Sequence, residues 1–243
     1  MRYLILSDIH ANRAALDAVM SAANGLYDTV ICCGDFVGYG PDPNYVTDFC
    51  RAEVRENIRG NHDKAAVGLA DLEWFNPVAR GSAVWTASVL TPQNREWITG
   101  QRSGPLGIDD DFIIVHGSPR DEDEYVIASY EAREAARSSP AAVSFFGHTH
   151  LQGGFQVHRN NGVRELKPSL GEVVVDDTST WLINPGSVGQ PRDGDPRAAW
   201  AIFDSEHRVV NWHRTEYDIR DTYRRIVEAG LPEVLGLRLH RGI

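Results

Sequence analysis

Apolar positions along the chain alternate between two rhythms. Residues 2–7, with Tyr3-Leu4-Ile5-Leu6 at their centre, and residues 28–33 and 54–59 are short apolar runs of strand length. Between them, residues 12–24 place Ala15, Leu16, Val19 and Met20 on one helical face, and Pro43 opens a second helix over 43–53. That β-α-β-α-β order predicts parallel strands joined by crossover helices. Residues 62–99 read as mostly helical, with Trp74, Trp85 and Trp97 available to pack a helical insertion. Short strands then dominate, at 104–108, 111–116, 142–146, 154–158, 163–166, 171–175, 181–184, 198–203 and 207–213. A helix over 129–138 interrupts them, and helical stretches at 217–229 and 231–239 close the chain. Asp109-Asp110-Asp111, between two strand-like runs, reads as a solvated hairpin turn. No repeat, linker or composition break divides the sequence, so the expectation is one α/β domain over 1–243 built on two packed sheets.

Composition narrows the function classes. Of 243 residues, 34 are acidic and 24 basic, a formal charge of −10 that argues against wrapping duplex DNA by phosphate neutralisation. It leaves a small phosphorylated substrate open. Cys32, Cys33 and Cys50 cannot all pair, and the first two are adjacent in a strand, where side chains point to opposite faces. They read as buried thiols of a reducing compartment. With no basic segment leading a long apolar run, and no run of membrane-spanning length, the expectation is a soluble, cytoplasmic chain with no membrane partner.

The chemistry concentrates in five short segments, each following an expected strand. They are Ser7-Asp8-Ile9-His10, Gly34-Asp35, Gly60-Asn61-His62-Asp63, Val115-His116-Gly117 and Gly147-His148-Thr149-His150. Loops beyond the carboxyl ends of strands form the ligand crevice of open α/β sheets. Convergence there gathers Asp8, His10, Asp35, Asn61, His116, His148 and His150. Imidazole and carboxylate without thiolate suit divalent Mn, Fe, Co, Ni or Zn, and suit Ca poorly. Seven ligands are too many for one four-coordinate ion and suit two ions that share a carboxylate. Five of the nine histidines fall in these segments.

In this order and spacing, the segments resemble the motifs of the calcineurin-like metallophosphoesterase superfamily. Asn184-Pro185-Gly186-Ser187, after a later strand, looks like that family's Asn-Pro-Gly-Ser turn. The resemblance implies a two-sheet β-sandwich flanked by helices, a four-layer α/β/β/α fold, with a dinuclear centre at one edge. It makes Asp8, His10, Asp35 and His150 the ligands of one metal, with Asp35 bridging to a second held also by Asn61, His116 and His148. His62 matches the catalytic histidine that binds no metal. The implied activity is hydrolysis of phosphodiesters or phosphomonoesters of small molecules by a hydroxide bridging two divalent ions, manganese foremost. His62, with an ordinary pKa of about 6.5, would protonate the leaving alkoxide.

Gly34-Asp35-Phe36-Val37-Gly38-Tyr39-Gly40 lacks the Asp and Arg that serine/threonine protein phosphatases carry after this Gly-Asp. That disfavours a protein phosphatase and leaves Asp63 as the nearby carboxylate able to orient His62. Ser7-Asp8-Ile9-His10-Ala11-Asn12, His116-Gly117-Ser118-Pro119-Arg120-Asp121 and the run from Asn184 to Arg192 look more like the small bacterial and archaeal phosphodiesterase-type members. Asn12 and Arg192 are candidate donors to the phosphate, and Tyr39 and Tyr45 candidate aromatic contacts. Asp121-Glu122-Asp123-Glu124 reads as a solvated loop that would also repel long polyanions. The alternatives are a nucleotide hydrolase or nuclease of the same fold, for which the acidic balance offers no basic groove, and a non-catalytic scaffold. A scaffold typically loses ligands, and here every matched ligand and His62 are present.

Overall fold

The computed structural model describes residues 1–160 and 162–243. Its strands form two six-stranded mixed sheets. Across the first run β3 (Glu56–Asn57), β2 (Thr29–Cys32), β1 (Arg2–Leu6), β11 (Ala198–Asp204), β12 (Val209–Thr215) and β9 (Glu172–Val174). Across the second run β4 (Leu106–Ile108), β5 (Phe112–Ile114), β6 (Val143–Phe145), β10 (Ser179–Asn184), β7 (Gly153–His158) and β8 (Val163–Leu166). β1, β2 and β3 pair in parallel, as do β5, β6 and β10. Both parallel triplets therefore send their carboxyl-terminal loops to one edge of the sandwich.

Strand alternation sorts the core into layers. Tyr3, Ile5, Ile31 and Phe203 of the first sheet meet Phe112, Ile114, Phe145 and Ile183 of the second in the inter-sheet core. Leu4, Leu6 and Trp200 face outward onto helix α1 (Arg13–Ala23), α2 (Pro43–Glu53) and α5 (Pro92–Thr99) through Leu16, Val19, Val46, Cys50 and Ile98. Of the adjacent cysteines, Cys32 joins this outer layer and Cys33 the inter-sheet core. On the far side Ile113, Phe155 and Leu182 pack on Ala132 and Ala135 of α6 (Ser129–Ser138). Each buried Leu, Ile or Phe contributes roughly 1.5–3 kcal/mol on leaving water, so these four layers, α/β/β/α, hold one another in register. The helices α3 (Asn61–Val67) and α4 (Pro77–Val89) follow the third parallel strand, and α7 (Ile219–Glu228) and α8 (Val234–Leu237) close the chain. Ala79 of α4 packs with Ile226 and Leu235 of the last two helices, beside Tyr39.

Three details differ from the sequence expectation. β3 is shorter than 54–59 because Val54 caps α2 and Ile58 drops into the inter-sheet core. Trp74 does not pack the helical segment: it ends a three-residue 3-10 turn, Leu72–Trp74, with no buried residue, and is 89% exposed. Trp85 and Trp97 do pack inward. Asp109-Asp110-Asp111 is the expected β4–β5 hairpin turn, with φ of 47° and 59° at Asp109 and Asp110. Its first carboxylate is more than solvated, since it accepts from the Tyr3 hydroxyl at 2.7 Å and pairs with Arg55, tying the hairpin to the first sheet.

Candidate metal centre

The strand-end loops are sewn together by backbone hydrogen bonds before any side chain acts. Asp8 N donates to Gly34 O at 3.0 Å, His10 N to Asp35 O at 3.0 Å and Gly147 N to His116 O at 2.9 Å. Ser187 Oγ and Gly189 N both donate to Asp8 O, and Asn184 Nδ2 donates to Gly147 O and Thr149 Oγ1. The Asn184-Pro185-Gly186-Ser187 turn is thus a brace under two of the other loops. Asp8, His10, Asp35, His148 and His150 all have positive φ, between 48° and 66°. Non-glycine residues adopt that region at a cost that surrounding structure must cover, and such residues cluster at functional sites. Gly60 has no such freedom to replace: a β-carbon there would fall 2.1 Å from Asp35 Oδ1.

Two clusters of potential ligand atoms result, one from Asp8, His10, Asp35 and His150, the other from Asp35, His116 and His148, each within a 4.8 Å span. In the first, His10 Nδ1 lies 3.0 Å from Val37 O and His150 Nδ1 lies 2.6 Å from Gln190 O. Only an N–H satisfies a carbonyl, so both rings keep their lone pairs on Nε2. These two Nε2 atoms face each other at 3.0 Å, with Asp8 Oδ1 at 3.4 Å from one and Asp35 Oδ2 at 3.7 Å from the other. In the second cluster His116 Nδ1 meets Cys33 O at 2.9 Å, and Nε2 lies 3.3 Å from both Asp35 Oδ2 and Asn61 Oδ1. His148 Nε2 meets Asp123 O at 3.1 Å, leaving its lone pair on Nδ1. Backbone carbonyls fixing the tautomer are the usual supports of metal-binding histidines. Asp35 Oδ1 accepts from His62 N at 2.9 Å, so Oδ2 is the oxygen common to both clusters.

Electrostatics point the same way. Burial pushes the Asp8 carboxyl up to about 7. It also holds His10 and His150 well below the usual imidazole range and takes His148 down to about 3. At Asp35 and His116 burial is outweighed by their mutual attraction: the acid falls well below the carboxylate range and the imidazole rises to about 10. Carboxylate oxygens and imidazole nitrogens therefore crowd a dry site, where buried charge needs close partners of opposite sign. The donor set fits divalent ions of the Mn-to-Zn series.

Residues 1–208 match a model of the calcineurin-like phosphoesterase superfamily domain. The chain belongs to that superfamily. It is 39% identical to a metallophosphoesterase from Sphaerobacter thermophilus, covering 100% of this chain and 99% of that one with a TM-score of 0.85. An uncharacterized protein of Methanocaldococcus jannaschii is 34% identical over 246 residues, 98% of this chain and 97% of its own. A hypothetical protein from Pyrococcus horikoshii, 18% identical with a TM-score of 0.78 over 100% of this chain and 98% of that one, shares the fold. With its paired His/Asp clusters, this calcineurin-like chain is a metal-dependent phosphoric ester hydrolase with a dinuclear type of site.

Around this phosphoesterase site the other sequence candidates separate. His62 is buried, with its ring centroid 5.0 Å from that of His10 and 4.2 Å from that of Tyr39. Its Nδ1 has no hydrogen-bond partner. Burial, against the pull of Asp35, lowers it to about 4, so its pKa is not the ordinary one expected. Asp63 does not orient His62: its carboxylate accepts from the backbone N of Asp35, Val37 and Gly60 at 2.8, 3.1 and 2.9 Å. Arg192 lies over the Tyr39 ring, 5.6 Å from its centroid, and joins the site's charge environment. Asn12 accepts from Ala15 N and Thr222 Oγ1 and donates to Gly189 O, and it shares a small cavity with His10 and Tyr39. Tyr45 points away, its hydroxyl on Asp17 and its ring under Arg13. The acidic loop is not merely solvated, because Glu122 and Asp123 both hold the buried Lys64 ammonium. Sequence reasoning passed over Lys64 and Tyr125, whose ring centroid is 3.9 Å from that of His148. Lys64 carried one usable signal, a lone cation two residues after His62. Among the described residues no helix is long and apolar enough to cross a membrane.

Proposed function

We propose that Asp8, His10, Asp35 and His150 would hold one divalent ion and Asp35, Asn61, His116 and His148 a second, with the Asp35 carboxylate shared, for hydrolysis of small phosphodiesters or phosphomonoesters. The observation that carries this is the convergence of candidate ligand atoms on Asp35 Oδ2, which lies 3.3 Å from His116 Nε2 and 3.7 Å from His10 Nε2. Two ions bound there would supply Lewis-acid charge to phosphoryl oxygens and lower the pKa of a bound water. Manganese heads the metals proposed, with iron, zinc, nickel and cobalt sharing the ligand chemistry.

The chain's own residues do the remainder. His62, buried beside His10 and Tyr39, gives a proton to the departing ester oxygen. Burial alone keeps it neutral, and an arriving phosphoryl anion works in the opposite sense by favouring imidazolium. Arg192, over the Tyr39 ring, and Tyr39 itself, beside His10 and His62, contact the phosphoryl group. A substrate of small size, and membership of the phosphodiesterase-type bacterial and archaeal branch, suit the acidic chain and the Gly38 and Tyr39 that stand where protein phosphatases carry Asp and Arg. Three buried, unpaired cysteines suit a reducing, cytoplasmic setting.

Hydrolysis of bis(p-nitrophenyl) phosphate and p-nitrophenyl phosphate, compared across Mn, Ni, Co and Zn, tests this reading. Diester turnover that needs added metal is expected. Strong monoester preference would overturn the diesterase assignment, and no hydrolysis of either with any metal would overturn the activity itself.

A further inference from the structure

A cavity of about 500 Å³ opens beside the two clusters, and its ends differ in chemistry. Asn61, His62 and His148 form the inner end. Trp74, Phe75 and Tyr125 line the rest as aromatic wall. Trp74 is 89% exposed and Tyr125 50% exposed, an apolar surface left to water at the mouth of a catalytic pocket. The wall also runs into the site: the Phe75 ring lies edge-on to His62, with centroids 5.4 Å apart, and the Tyr125 ring inclines 33° to that of His148. A ligand covering Trp74 thus shares one cavity with His62 and His148.

Charge defines the occupant further. Lys64 is the cation among these lining residues, and its ammonium is held by Glu122 and Asp123 at 2.6–2.9 Å. Asp71 and Asp123 also line the cavity. Its outer end therefore offers aromatic side chains and negative charge, with no free cation for a second phosphate among the described residues that line it.

We propose that this wall is a specificity subsite that takes one ester group of the substrate, a planar aromatic ring of nucleobase size bearing no further phosphate, stacked on Trp74. This rests on the phosphoesterase reading above, which puts the substrate's phosphoryl group at the metal clusters. Rings are favoured over alkyl chains because three of the wall's residues present π-faces, and stacking on such faces is tolerant of which base is present.

Calorimetric titration of the manganese-loaded protein with adenosine 5′-monophosphate and with ribose 5-phosphate isolates the ring, since the two differ only by the base. The base is expected to tighten binding by about 10-fold or more, in line with one stacked base. Trp74→Ala removes most of that difference, and because the side chain is exposed its loss leaves the fold intact. Tyr130→Ala, which deletes an exposed aromatic outside the cavity, leaves the difference in place. Equal affinities in the wild type, or a preference that survives Trp74→Ala, would overturn the subsite. Failure of p-nitrophenyl ester hydrolysis would overturn the phosphoesterase reading instead, and it is read in a separate assay.

Discussion

The Nε2 atoms of His10 and His150 face each other at 3.0 Å while each ring's Nδ1 sits on a backbone carbonyl. Two lone pairs so close repel unless a cation lies between them, and residues 140 positions apart are brought into that relation by the two parallel triplets of strands. The fold thus stores an electrostatic demand that divalent ions satisfy, and the consequences are measurable.

Metal should stabilise the chain in steps. With free Mn at about 100 times its dissociation constant, each filled site adds about 2.7 kcal/mol. For a chain of this size that raises the melting temperature by about 5–10 °C per site. Thermal melts in EDTA and in Mn check this, and His10→Ala is expected to lose one of the two increments.

Asp63 is predicted to be structural in its first effect. Asp63→Ala strips partners from the backbone N of Asp35, Val37 and Gly60, all buried. The cost is expected at about 3–5 kcal/mol in urea unfolding, with activity lost in proportion to the folded fraction. Normal stability with a lost pH dependence of turnover would instead reinstate Asp63 as a partner of His62.

Gly60→Ala should damage the centre more than the fold. The added carbon meets the Asp35 carboxylate and backbone N, so that side chain must move from its place between the clusters. Metal affinity, read by equilibrium dialysis, is expected to fall by at least about 10-fold, in the range set by disturbing a ligand's supports.

His62→Gln is predicted to bind metal as the wild type does and to lose about 100-fold or more in turnover, the usual contribution of a positioned proton donor. Metal content and hydrolysis measured on the same sample separate this outcome from a ligand role.

Away from the site, the Tyr3–Asp109 hydrogen bond sets an alkaline limit. Burial, helped by Asp109, raises Tyr3 from 10.0 to about 12. Folding therefore favours the protonated phenol: its contribution is complete below pH 10 and is lost as pH rises through 12. Urea unfolding between these values should show the wild type losing stability relative to Tyr3→Phe.

Much of this was readable from residues alone. Short apolar runs such as Tyr3-Leu4-Ile5-Leu6 and the Gly-flanked acids and histidines after the strands were enough to expect two packed sheets with seven ligands gathered in the strand-end loops. Local pattern is strong there because a buried strand and a sharp strand-end turn each admit few residue types. What stayed hidden depends on backbone atoms and distant partners. No pattern shows that the Val37, Gln190 and Cys33 carbonyls set three tautomers, or that Asp63 serves three amides. Trp74 misled for a related reason, since an aromatic in a helical stretch says nothing of which way a three-residue turn will aim it. Tyr45 was read as an aromatic contact from its nearness to a motif in sequence, which says nothing of the Asp17 and Arg13 that engage it, and no pattern shows that Asn12 also caps a helix.

The most direct test of the central claim is the manganese content of the chain after equilibrium dialysis, measured by elemental analysis on wild type and Asp35→Asn. Two ions per wild-type chain are expected, with both ions and hydrolysis lost together in the variant. One ion or none in the wild type, or two ions and full hydrolysis in Asp35→Asn, would contradict a paired centre built on a shared Asp35.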